Sequence, residues 1–173
     1  KGYRKGNPED VRKGEFDSSA EAHVNMMDFR VGDETKSWFE TSYNLIQRFI
    51  SEGGYRVYPD RVSLPTSLKK GENSKISHRW RNLGWGYLPN NLKQWNYKYK
   101  VAFALLDADG KVAQMFIDNK CEPSEWLQDE PKSYSYEIKA DVKPGTYLWA
   151  VAIVDTSLDN IPGIQLAIDK LSK

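Results

Sequence analysis

Hydrophobic positions recur near every 3.6 residues from 35 to 52 and every second residue after 54. Between 35 and 52, Trp38, Phe39, Leu45, Ile46, Phe49 and Ile50 follow one another at helical steps. That spacing predicts an amphipathic helix with a buried stripe. Thr35 offers a cap at its start, and Gly53-Gly54 stands where a left-handed C-cap is wanted. Beyond it, 55–58 and 61–65 read as short extended pieces, and 74–81 as a strand with Ile76, His78 and Trp80 on one side. Residues 97–106 form a long strand whose Tyr99, Val101, Phe103 and Leu105 face one way. Asp107-Ala108-Asp109-Gly110 is a hairpin turn, because Asp-Gly tolerates the positive φ that a tight turn needs. Residues 111–117 return as its partner, and Tyr134, Tyr136 and Ile138 alternate in a further strand. After the turn at Lys143-Pro144-Gly145, residues 147–154 are apolar on both faces, and 164–168 alternate as a last strand. About seven strands separated by turn signals predict an antiparallel, immunoglobulin-like β-sandwich over 55–173.

Residues 1–33 carry four glycines and no sustained period, so an irregular segment is expected there. An irregular run of that length suits a compact domain poorly and points to a neighbouring domain upstream. The abrupt start at Lys1-Gly2-Tyr3-Arg4 also reads as cut from something longer. Met26, Met27 and Phe29 need cover, which the sandwich or a second copy would provide. The chain thus divides into 1–54, the segment with its helix, and 55–173, the sandwich.

Composition narrows the function classes. A formal charge of +1, with acids and bases interspersed, argues against nucleic acid and against a membrane-binding patch. No apolar run approaches the roughly 20 residues of a membrane span. Cys121 is the one cysteine and reads as a small semi-buried hydrophobe; with His23 and His78 the only histidines, no metal centre or cofactor is implied. Asp107, Asp109 and Gly110 offer oxygen ligands but lack the spacing of a calcium loop, and the hairpin accounts for them.

Aromatics make up 13% of the chain and crowd one stretch, from Trp80 to Trp95. Trp85 and Tyr87 lie beside Gly84 and Gly86, with Asn82, Asn90, Asn91 and Gln94 nearby. Ring faces flanked by amides suit a sugar, whose C–H face meets the π system while amides bond its hydroxyls. Trp126, in a second polar loop, is a candidate for the same surface. The carbohydrate-binding candidates are therefore Trp85, Tyr87, Trp126, Asn90 and Gln94. The competing reading is that the tryptophans plug the end of the sandwich or its contact with the preceding segment. Trp80 and Trp149 alternate with core positions and read as core. Acidic clusters at Glu15, Asp17, Glu21 and Asp28, and at Glu122, Glu125, Asp129 and Glu130, read as solvated loops; no catalytic residue is assigned. His23 beside Asn25 has the option of facing an upstream active site.

Several of these motifs occur together: Trp80-x-Asn82-x-Gly84 with Pro89 after it, Leu106-Asp107-Ala108-Asp109-Gly110-Lys111, Trp126, Pro144-Gly145-Thr146-Tyr147, and Ile164-Gln165-Leu166-Ala167. Together they resemble the C-terminal β-sandwich, a domain of unknown function, that follows the barrel in bacterial glycoside-hydrolase-like proteins. Trp38 to Ile50 leading into Glu52-Gly53-Gly54-Tyr55-Arg56 looks like the last barrel helix of such a protein. The resemblance implies a secreted, periplasmic or cell-surface setting, an upstream catalytic barrel as partner, and a polysaccharide or oligosaccharide as ligand. It leads to a non-catalytic accessory module that binds carbohydrate or braces the catalytic domain. The alternatives are a glycoside-hydrolase fragment whose aromatic loop completes the active-site cleft, and a plain protein-interaction domain.

Overall fold

A computed structural model describes residues 8–29 and 31–168, so the opening Lys1-Gly2-Tyr3-Arg4 lies outside the described residues. Three helices precede seven strands: α1 Pro8–Glu21, α2 Asp33–Thr41 and α3 Tyr43–Glu52, then β1 Val57–Ser63, β2 Asn73–Asn82, β3 Tyr99–Leu106, β4 Val112–Asp118, β5 Lys132–Lys139, β6 Leu148–Asp155 and β7 Ile161–Ile164.

The segment expected to be irregular thus contains a helix. Pro8 opens α1, where its missing N–H costs nothing. Its inner side is Arg12 and Phe16, the latter fully buried. A charged residue holds one of the core positions, which hides the period. Arg12 spans to the end of α2, donating to the Ser37 carbonyl at 3.0 Å and to the Ser37, Thr41 and Ser42 hydroxyls at 2.8, 2.8 and 3.1 Å. Its guanidinium also lies 4.7 Å above the Trp38 ring. A cation there complements the negative end of α2. At Ser42 the backbone leaves the helical region, with φ −139°, so the single predicted helix is two. Thr35 is not the cap; its hydroxyl donates to the Phe29 carbonyl at 3.2 Å. Of the two glycines that close α3, Gly54 takes the left-handed conformation, φ 65°, while Gly53 is extended.

Phe16, Trp38, Leu45, Ile46 and Trp85 form one core, with Met27 and Phe29 packed on it as their character requires. Met26 stays outside, 83% exposed.

The strands make two antiparallel sheets, β1-β2-β5 and β4-β3-β6-β7, which is a β-sandwich. In immunoglobulin lettering the order is A-B-E against C′-C-F-G. The two expected pieces at 55–65 are one edge strand, β1, with an irregularity between Pro59 and Arg61. Edge position is what lets Pro59 sit within a strand. The last strand, β7, lies earlier than the 164–168 expected; residue 167 instead donates its N–H to the Val57 carbonyl at 2.9 Å, across to the other sheet. The Asp-Ala-Asp-Gly hairpin forms as predicted, Gly110 at φ 77° and the Asp107 carboxylate accepting from the Asp109 and Lys111 amides. Ile76, Trp80, Val101, Phe103, Ile153 and Trp126 fill the space between the sheets. Among the described residues no helix is long and apolar enough to cross a membrane.

Candidate functional site

The aromatic stretch is a corner joining the two cores. Asn82, the last residue of β2 and 3% exposed, organises it. Its Oδ1 accepts from the Arg56 and Gly84 amides at 2.9 and 3.0 Å, and its Nδ2 donates to the Gly86 and Trp126 carbonyls at 2.6 and 3.0 Å. All four capacities of the amide are used. A Cβ on Gly84 would collide with the Gly54 carbonyl oxygen, and one on Gly86 with Asn25 Oδ1 and the Gly54 carbonyl. The glycines therefore admit another strand of backbone, where the sequence suggested room for a ligand.

Segment 23–25 closes the corner from above. The Trp85 carbonyl can only accept, so His23 donates to it from Nδ1, at 2.7 Å. Asn25 Nδ2 donates to the Tyr87 carbonyl at 2.8 Å, and Trp85 Nε1 donates to the Val24 carbonyl at 3.0 Å. His23 thus serves the corner.

The five carbohydrate candidates are not brought together. Trp85 is 3% exposed and turns into the helical core, edge-on to Phe16 at 5.4 Å. Trp126 is fully buried and stacks on Trp80, centroids 4.6 Å apart at 10°. Its Nε1 donates to the Tyr134 hydroxyl at 2.9 Å, whose ionisation burial pushes upward. Asn90 is fully buried as well, pairing with both backbone groups of Tyr99 and with Glu122. Tyr87 is half-buried and Gln94 exposed. The surface reading of Trp85, Trp126 and Asn90 is corrected: none offers a face to a sugar, because each fills a core or completes a backbone corner. Glu122, placed among the solvated acids, is instead held by Asn90, by the Ser124 amide and hydroxyl, and by Lys100 at 3.3 Å.

One pair has the spacing of acid–base chemistry. His78 Nε2 and Asp118 Oδ2 are 3.0 Å apart, and Trp80 Nε1 donates to His78 Nδ1 at 2.8 Å. An indole N–H only donates, so Nδ1 accepts and Nε2 carries the proton toward Asp118. Burial works against the Asp118 charge, but the bonds from His78 and the Lys120 amide outweigh it and hold the carboxyl below its ordinary value. Both imidazole nitrogens are committed and the two side chains are 0% and 2% exposed. The pair is part of the sandwich interior. Cys121 is fully buried nearby, and burial pushes its thiol far up, away from nucleophilic chemistry.

Accessible aromatic faces occur at the opposite end of the sandwich. There a cleft of about 390 Å³ opens between the β1–β2 and β5–β6 connections, lined by Leu68, Val142, Tyr147 and Trp149 with Thr66 and Lys143. Trp149 Nε1 donates to the Pro65 carbonyl at 3.2 Å and the Tyr147 hydroxyl to the Lys143 carbonyl at 2.8 Å. Their polar ends are satisfied by backbone, and both rings are half-buried. Strand alternation reads them as core, and their inward direction agrees. What it lacks is their height, for only the sheet's end row meets the opening.

The chain matches no protein-family model, no curated protein and no solved structure.

Proposed function

We propose that this chain is a non-catalytic accessory β-sandwich that braces an adjoining domain, in the polysaccharide-degrading setting that its motifs resemble. The observation that carries this is the two-sidedness of α2 and α3. Their inner side is fused to the sandwich through Trp85. Their outer side leaves Phe39, Tyr43 and Ile50 exposed by 53, 48 and 66%. Phe39 and Tyr43 lie side by side, centroids 6.0 Å apart, and Ile50 follows two turns on from Tyr43. Large apolar groups clustered on one side of a helix pair mark a contact surface.

In the natural gene product, Phe39→Ser with Ile50→Ser should loosen the junction and speed proteolysis there. In the isolated chain the same pair should leave the melting temperature nearly unchanged, since both side chains already face water. Equal proteolysis of variant and parent gene product sinks the proposal.

A second reading, glycan binding, is favoured by the end cleft. Ring faces beside hydroxyl and ammonium donors suit a sugar ring, and the volume falls within the usual range for small ligands. Affinity electrophoresis against plant and algal polysaccharides should show retardation that Tyr147→Ala abolishes. No retardation by any of them removes this reading and leaves the bracing role standing.

A further inference from the structure

Acids and bases intersperse along the sequence, but strand register gathers bases on one face. The inward residues of β2 are Ile76, His78, Trp80 and Asn82, so Lys75, Ser77, Arg79 and Arg81 turn outward. Pairing then sets five outward rows: Tyr58–Arg81, Arg61–Arg79–Ser133, Ser63–Ser77–Ser135, Lys75–Glu137 and Asn73–Lys139. At about 3.4 Å per residue they cover about 27 Å of sheet. Five cations stand there against Asp60 and Glu137, while the whole chain carries only +1. The two acids are already engaged. Glu137 accepts from Asn73 Nδ2 at 3.0 Å, and Asp60 accepts from Arg79 Nε and Nη2 and from Arg81 Nε. Those bonds fix the two guanidiniums and leave Arg79 Nη1 and both terminal nitrogens of Arg81 for an outside acceptor. Arg61, exposed and directly across from Arg79, pairs with no acid among the described residues.

We propose that this outer face of β1-β2-β5 binds an acidic polysaccharide, a chain of carboxylated sugars. A planar guanidinium takes a carboxylate through two parallel bonds. Arg61 and Arg79 would hold one between them, which relieves a like-charged pair that otherwise weakens the ladder. The neighbouring serine row offers hydroxyls to the sugar's own. Beside β5 a groove of about 640 Å³ continues the face, where Ser135 and Lys75 meet Asn119 and Lys120. The groove's carboxylates, Glu137 and Asp118, are held by Asn73 and His78. A polymer thus finds cations toward both ends and neutral hydroxyls between them. Other occupants fit less well. The face has no aliphatic side chain for the core of a protein interface or for lipid. Its one ring, Tyr58, gives single-stranded nucleic acid no stacking platform. This inference is independent of both roles above, which use the helices and the end cleft.

Calorimetric titration of the full chain with oligogalacturonate tests it. The parent should bind, and the affinity should fall as salt screens the charges. The methyl ester of the same oligosaccharide keeps most hydroxyls and loses the charge, and it should not bind. Polyglutamate keeps the charge and lacks the hydroxyls, and it should bind more weakly than oligogalacturonate. Arg61→Gln with Arg81→Gln should lower the affinity about tenfold, the worth of two exposed ion pairs. Should that double variant fail to fold, Arg61→Gln alone decides with a loss of about threefold, since its side chain is exposed. Tyr147→Ala, in the end cleft, should leave the affinity unchanged. A parent that does not bind, or that binds the ester, polyglutamate or oligothymidylate equally well, overturns the proposal. So does an affinity that follows Tyr147 and is indifferent to the arginines.

Discussion

Gly86 has no room for a methyl group: a Cβ there would occupy the space of Asn25 Oδ1 and of the Gly54 carbonyl. Both obstacles belong to the segments that hold the helices to the sandwich, and backbone yields less readily than a side-chain tip. Gly86→Ala should therefore cost about 1–3 kcal/mol, as overpacking does, measured by urea unfolding. Gly14, on the outside of α1, has open space where its Cβ would stand. Gly14→Ala should stabilise the chain by up to about 1 kcal/mol through helix propensity; a loss at this site would mean that α1 is not helical there. His78 presents a different case. Removing its ring leaves the Trp80 N–H and the Asp118 carboxylate without their partner in a dry core. His78→Leu should cost about 3–5 kcal/mol, the usual penalty for breaking a buried polar pair from one side. Pairing it with Asp118→Asn should recover part of that loss, because the stranded charge is gone. If the double variant is no more stable than the single one, the Asp118 charge left without the imidazole N–H is not the source of the loss.

Strand β1 shows how an element manages its own charges. Arg61 lies directly across from Arg79, a like-charged pair that by itself weakens the ladder. Asp60, at the irregularity in β1, answers it. Its carboxylate accepts a two-pronged bond from Arg79, both prongs 2.8 Å, and another from Arg81 at 2.6 Å. These bonds, Arg79's first, hold its carboxyl at about 2, below the ordinary 3.8. A lowered carboxyl stabilises the fold above its unfolded value and loses that contribution as pH falls toward the folded one. Between pH of about 4 and 2 the parent should lose on the order of 1–2 kcal/mol through this site, solvent screening included. Asp60→Asn should be weaker at neutral pH and flatter across that window; an unchanged acid limb would show that the arginines do not bind this carboxylate in solution. The sequence made the seven-stranded half legible because alternation and turn chemistry agree there: Ile76, His78 and Trp80 point inward as expected, and Gly110 turns the hairpin. It concealed α1 because the inner side of that helix rests on Arg12 and Phe16, and a buried arginine does not register as apolar. The division at Ser42 leaves no mark in the apolar period, and the Arg12 guanidinium that bonds the Ser42 hydroxyl there comes from another helix.

Across the whole molecule, Trp85 is the residue that belongs to two places. In sequence it sits on a sandwich loop, and in space it completes the helical core, between Phe16 and Phe49 with the Arg48 guanidinium 5.8 Å from its ring. No local pattern marks such a residue, since the surface that buries it comes from residues 16 and 49, far away in the chain. The same distance explains why ring content alone could not separate Trp85 from an exposed Tyr or Trp. Its position makes a sharp claim about cooperativity. Trp85→Ala removes the largest group shared by the two cores and should cost about 3–5 kcal/mol. That loss should fall unevenly. Amide exchange in α1, α2 and α3 should accelerate strongly, because their core loses its lid, while β2, β3 and β6 keep their protection. Trp126→Ala should do the reverse, opening the sandwich where Trp80 loses its stacking partner and sparing α1. If either substitution accelerates both halves equally, the helices and the sandwich unfold as one unit, and the corner at Asn82 rather than the Trp85 ring carries the coupling between them.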